Sequence, residues 1–129
     1  MAVDLAMPVL VVDDYKTMVR IIQNLLKSIG FTNVHGALSA DEAITKMAEN
    51  KYGLIISDWN MEPMSGYDLL LKLRGEEATK DLPFIMITAE SASEKVVAAK
   101  RAGVNNYIVK PFNAQTLKQK IAVAMGDGG

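Results

Sequence analysis

The sequence predicts an α/β fold: a doubly wound, five-stranded parallel sheet with five helices on its two faces. Three observations carry that expectation. Short apolar runs recur along the chain, each too short for a helix and long enough for a strand. The strongest of them are apolar throughout rather than alternating, as strands covered on both faces are. Between them lie segments whose apolar residues recur at helical spacing. Such alternation implies strands joined by right-handed crossovers.

Pro8-Val9-Leu10-Val11-Val12 is expected to be a central strand ending at Asp13-Asp14. A helix over residues 16–28 follows, with Met18, Ile22, Leu25 and Ile29 at helical spacing and Gly30 as its stop. Asn33-Val34-His35-Gly36-Ala37 is a weaker strand, better suited to an edge, and its His35 reads as structural or exposed. Ser39 and Glu42 have capping-box spacing and open a helix through Ala43, Ile44, Met47 and Ala48. Leu54-Ile55-Ile56-Ser57-Asp58 is a buried strand that breaks into a loop punctuated by Pro63 and Gly66. A short helix over residues 67–74 turns Leu70 and Leu73 inward, and Phe84-Ile85-Met86-Ile87-Thr88 is the fourth strand. Residues 91–102 form a helix with Val96, Val97 and Ala99 on an apolar side and Gly103 as its C-cap. Asn106-Tyr107-Ile108-Val109-Lys110 is the fifth strand and runs into Pro111. Asn113 caps a last helix in which Leu117, Ile121 and Ala124 share a face.

At 129 residues a single domain over 1–129 is expected, with a core of about 8–125 and flexible ends. A net charge of −1 offers no bulk attraction to nucleic acid or anionic membrane. The absence of cysteine excludes disulfides, thiolate catalysis and Cys-based zinc sites. No apolar run approaches the ~20 residues of a membrane span, and no signal peptide is evident, so the expected location is cytoplasmic.

In a parallel sheet every strand ends at the same rim, where ligands of open α/β sheets bind. Asp13 and Asp14 follow the first strand, Asp58 ends the third, Thr88 the fourth and Lys110 the fifth. Singly, each has an ordinary reading: a solvated turn, a turn cap, a strand hydroxyl, an exposed strand end. Together they read as phosphoryl transfer onto a carboxylate. Three close carboxylates repel, and a divalent cation offsets that repulsion. Hard oxygen ligands without Cys or His favour Mg²⁺, with Mn²⁺ as a substitute. Asp58 is the candidate nucleophile, Lys110 a point charge for a phosphoryl oxygen, and the Thr88 hydroxyl a hydrogen-bond donor to another.

Val11-Val12-Asp13-Asp14, Ile56-Ser57-Asp58-Trp59-Asn60-Met61, Ile87-Thr88-Ala89-Glu90 and Tyr107-Ile108-Val109-Lys110-Pro111-Phe112 resemble the signature segments of response-regulator receiver domains. The resemblance covers residues 8–125 in order and is strongest to the family's single-domain chemotaxis members. It implies a flavodoxin-like (β/α)5 receiver fold. It implies a phosphoryl group passed from a histidine kinase to Asp58, with Asp13, Asp14, Asp58 and the Asn60 backbone carbonyl holding Mg²⁺. Lys110, Thr88 and Ala89 would contact the phosphoryl group, and the Lys110–Pro111 bond would be cis. Thr88 and Tyr107 would form a coupled switch, although from spacing alone Tyr107 reads as a half-buried strand aromatic with its hydroxyl in water.

Val96, Lys100, Tyr107 and Lys120 are candidate contacts on an output surface. Trp59, Glu62 and Glu90 are expected to modulate the site. Trp59 would report binding by fluorescence, Glu62 adds a charge, and Glu90 would influence dephosphorylation. In Met61-Glu62-Pro63-Met64-Ser65-Gly66 the family's usual proline has moved one place and Ser65 replaces a capping aspartate. Ser65 caps about as well.

The implied activity is a signalling switch rather than an enzyme, catalysing only its own phosphorylation and autodephosphorylation. Its partners would be a chemotaxis-type histidine kinase, a flagellar motor switch protein or other phosphorylation-dependent target, and a phosphatase, with the chain itself monomeric. A phosphate sink or phosphorelay shuttle is an alternative within the family. A metal-dependent aspartyl-phosphate phosphatase would need an acid where Asn60 stands. A flavin module would have to place a phosphate against three acids.

Overall fold

The computed structural model describes residues 4–89 and 93–126. Within them the chain alternates β1 (Val9–Val12), α1 (Lys16–Ile29), β2 (Val34–Ala37), α2 (Ala40–Glu49), β3 (Leu54–Asp58), α3 (Gly66–Arg74), β4 (Phe84–Thr88), α4 (Ser93–Arg101), β5 (Asn106–Val109) and α5 (Ala114–Ala124). The strands form one parallel sheet in the order β2-β1-β3-β4-β5. The weak second strand is an edge, as its composition predicts. β1, β3 and β4 are buried at every position, which is why they read as apolar runs.

The two faces of the sheet carry separate cores. Leu10, Val12, Ile55, Phe84 and Met86 pack with α2, α3 and α4. Val9, Val11, Leu54, Ile56, Ile85, Ile87 and Ile108 pack with α1 and α5. The side-chain alternation of a strand divides them this way. From β1 the chain steps outward to β2, then crosses back to β3. The carboxyl ends of β1 and β3 thus flank the point where strand order reverses, the usual ligand crevice of such sheets.

Local chemistry sets the helix starts. Ser39 Oγ accepts from the Glu42 N–H at 3.0 Å, while the Glu42 carboxylate accepts from the Leu38 N–H, one residue before the cap. Ser65 forms the full reciprocal box with Asp68, and Asn113 accepts from the Thr116 N–H. Gly30 ends α1 at φ 124°, a conformation that favours glycine.

Three sequence expectations need correction. In α1 the fully buried residues are Val19, Ile22 and Leu26, so the stripe lies one place round from Met18, Leu25 and Ile29, which are half-buried. The α1 sequence is apolar at both registers, and packing against β1, β2 and α5 selects between them. In α4 Val97 is 44% exposed, leaving Ala99 as the buried residue of that helix. α3 begins at Gly66 and buries Leu69 as well as Leu70 and Leu73. Ser91, Glu90 and the extreme ends expected to be flexible lie outside the described residues.

Candidate phosphoryl-acceptor site

Among the described residues the buried polar side chains are Asp13, Ser57, Asp58 and Thr88. All four stand at or beside the carboxyl ends of β1, β3 and β4. The core spends its polar side chains on one rim. Parallel pairing sets this alignment: Val12 lies opposite Ser57, and Asp58 opposite Ile87, so adjacent strand ends differ by no more than a residue.

Asp13, Asp14 and Asp58 each present a carboxylate oxygen within 4.8 Å of the other two. Asp14 is exposed, whereas Asp13 and Asp58 are 2% and 8% exposed. Lys110 Nζ stands 3.7 Å from Asp13 Oδ2 and 3.7 Å from Asp58 Oδ1. At that distance it attracts both without hydrogen bonding to either. Asp13 Oδ1 accepts from the Tyr15 N–H, but Asp13 Oδ2 and Asp58 Oδ1 are buried with no hydrogen-bond partner. Burial pushes both carboxyls above their ordinary value. Lys110 and the backbone N–H groups of Trp59 and Asn60 pull Asp58 back, while Asp14 adds to the upward push. Buried carboxylate oxygens without hydrogen bonds are costly, and the single charge of Lys110, 3.7 Å from each, leaves room for a further cationic partner. Two orphaned oxygens beside a third carboxylate form an all-oxygen, anionic donor set. It fits Mg²⁺.

The loop after β3 supports Asp58 from below. Gly66 N–H donates to the Trp59 carbonyl at 2.9 Å, and a Cβ at Gly66 would collide with the Asp58 carbonyl oxygen. Ser57 Oγ donates to that same carbonyl at 2.9 Å. Asn60 and Glu62 are exposed beside this loop, and the Glu62–Pro63 and Lys110–Pro111 bonds are cis. Thr88 is fully buried at the end of β4, its carbonyl accepting from the Lys110 N–H at 2.9 Å, and Ala89 is exposed just after it.

The candidate switch and output residues distribute differently. Tyr107 is 7% exposed, buried rather than half-buried, and its ring meets the Trp59 indole edge-on at 6.5 Å. Lys100 is exposed, whereas Val96 and Lys120 are half-buried. His35 is half-buried on β2, opposite Leu10 of β1, and lies 2.7 Å from the Tyr52 hydroxyl. Tyr67 and Lys95, both against Trp59, carry no signal in the sequence that singles them out. Neither do Ser57 and Gly66, whose roles arise from backbone approach.

A family model described as the response regulator receiver domain matches residues 9–122. The chain is 46% identical over 115 residues to the chemotaxis protein CheY of Pseudomonas aeruginosa, covering 89% of this chain and 93% of that protein. It has the same identity to CheY-3 of Vibrio cholerae, covering 88% of that relative. Among solved structures, CheY4 of Vibrio cholerae superposes with a TM-score of 0.84 at 31% identity, covering 92% of this chain and 98% of that one. A response regulator receiver protein from Pseudomonas putida superposes at 0.83 with 32% identity, covering 92% and 98%.

Proposed function

The chain belongs to the response-regulator receiver family, and from that membership we propose that it is a phosphorylation-dependent switch whose acceptor is Asp58. Receiver domains of this type are signalling switches rather than classical enzymes. The observation that carries the reading is the pair of unpartnered buried oxygens on Asp13 and Asp58, both facing Lys110.

Residues 8–125 act as one receiver unit in this reading. Asp13, Asp14, Asp58 and the Asn60 carbonyl would hold Mg²⁺, which would supply charge neutralisation for the transferring group. Asp58 attacks phosphorus as the P–N bond of a kinase phosphohistidine breaks. Lys110 is already drawn to Asp58 and stays to hold a phosphoryl oxygen. The Thr88 hydroxyl and the Ala89 backbone supply further contacts. Asn60 stands where a phosphatase would need its proton donor, and an amide cannot protonate a leaving group.

The name of the curated relatives, chemotaxis protein, supports a place in chemotaxis signalling; a chemotaxis-type histidine kinase as donor and a flagellar motor switch protein as target complete this reading. Trp59, Glu62 and Glu90 modulate the site, while Val96, Lys100 and Lys120 belong to the output surface that Thr88 and Tyr107 control. Among the described residues no helix is long and apolar enough to cross a membrane, which is compatible with work in the cytoplasm.

Asp58→Asn is expected to abolish labelling by acetyl phosphate with Mg²⁺ present, as followed by phosphate-affinity electrophoresis. A variant that labels as fast as the parent would remove Asp58 from the mechanism. Beryllofluoride is expected to promote capture of a motor-switch peptide; capture indifferent to it would remove the motor as target.

A further inference from the structure

We propose that Tyr67 and Lys95 brace the Trp59 indole and through it hold Tyr107 inward before any phosphoryl group is present. The inference rests on the reading of Asp58 as acceptor and Tyr107 as switch, and adds two positioning residues that the reading does not use.

Trp59 follows Asp58 directly in the chain and is buried. Three other elements converge on its ring. Tyr67, in the first turn of α3, stacks on it with centroids 5.0 Å apart and planes 12° from parallel. Lys95, in the first turn of α4, places its ammonium 4.7 Å from the ring centroid. Tyr107, in β5, meets it edge-on at 65°. The stack fixes the plane of the indole, and the cation is held by the negative face of the ring. With its plane fixed, the indole presents a defined wall to Tyr107.

The brace bears most on α4. That helix buries only Ala99 among its described residues, whereas α3 buries Gly66, Leu69, Leu70 and Leu73. Fewer apolar contacts anchor its first turn, so the Lys95–Trp59 contact is a larger share of what positions it. It also ties α4, a flank of the candidate output surface, to the residue beside the acceptor.

A phosphoryl group can only bias conformations that already exist. In the fold the Tyr107 ring is buried and edge-on to the braced indole. The brace is made of groups native to the chain, so it biases Tyr107 toward this position independently of Asp58 chemistry, and phosphorylation acts on top of that bias.

The test uses the full chain labelled with fluorotyrosine, whose four tyrosines give few ¹⁹F resonances, with Tyr107 assigned by Tyr107→Phe. Without phosphodonor, Lys95→Gln and Tyr67→Leu should move the Tyr107 resonance toward its solvent-exposed position. A contact of this strength corresponds to an inward-to-outward ratio lowered about two- to fivefold. Lys95→Arg keeps a cation over the ring and should restore the parent position, which a merely space-filling role would not require. Lys95 is half-buried, and circular dichroism checks that its substitutions leave the fold intact. A Tyr107 resonance unmoved in both Lys95→Gln and Tyr67→Leu overturns the brace, as does a Lys95→Arg spectrum matching Lys95→Gln. Acetyl phosphate labelling of the parent judges the Asp58 reading separately, so the two can fail independently.

Discussion

At the amino-terminal rim of the sheet, Asn105 and Arg74 pair nearly everything they touch, while at the opposite rim Asp13 and Asp58 each keep a buried oxygen without a hydrogen-bond partner. Asn105 Oδ1 accepts from the first N–H of β4 at 2.8 Å, and its own N–H donates to the Phe84 carbonyl. Arg74 reaches from the end of α3 to donate to the carbonyls of Gly103 and Thr79 and to Asn105 Oδ1. A groove of about 730 Å³ opens at this paired rim, lined by Tyr52, Glu49, Glu77 and Asp81 among others. The paired rim secures the connections between elements, and the opposite rim holds Asp58, the proposed acceptor.

The sharpest way to break this contrast is Gly66→Ala. The added methyl would meet the Asp58 carbonyl oxygen, a backbone atom that cannot swing aside, so the loop or the end of β3 must move. A loss of about 3 kcal/mol or more in urea unfolding is expected, in the range of severe core lesions. Acetyl phosphate labelling should fall with it. An unchanged unfolding midpoint would mean the close approach beneath Asp58 is dispensable.

Arg74→Ala probes the other rim. It strips donors from two carbonyls and from Asn105, but water can reach much of this surface. The expected cost is about 1–2 kcal/mol, seen in the same unfolding experiment. Labelling of Asp58 should proceed at the parental rate, since Arg74 lies at the far end of the sheet. A labelling defect as large as the stability defect would show that the two rims are not independent.

The ends of the strands were legible in the sequence because each apolar run stops on a polar residue, and parallel pairing then brings those residues together. Asp13, Asp58, Thr88 and Lys110 needed no more than that. Caps at Ser39, Ser65 and Asn113 were legible for a similar reason: their partners lie within three residues. Arg74 was not legible as a keystone. Its partners Gly103 and Asn105 are about thirty residues on, and no local pattern joins them. The inner face of α1 was misjudged by one position, because Met18-Val19 and Leu25-Leu26 offer two apolar stripes and only the neighbouring sheet chooses. Tyr107, Tyr67 and Lys95 meet at the Trp59 indole from three different elements. A convergence of this kind has no signature in spacing.

The gentlest perturbation sharpens the contrast from the site itself. Asp13→Asn keeps an oxygen to accept from the Tyr15 N–H and removes a buried negative charge that faces Asp58 and Asp14. In EDTA the variant should be more stable than the parent at neutral pH. The sign follows from the raised carboxyl: ionised Asp13 is disfavoured in the folded state, so the parent loses stability as pH climbs from the ordinary value of 3.8 through the raised one. Below pH 3.8 the parental acid is protonated and the advantage of Asn should vanish. With Mg²⁺ added the order should reverse, because the variant gives up a ligand that binding would have stabilised. Thermal melts with and without the ion, at two pH values, decide it. A variant less stable than the parent in EDTA at neutral pH would mean that Asp13 is adequately paired by Lys110, and that the carboxyl rim is no less satisfied than the amino rim.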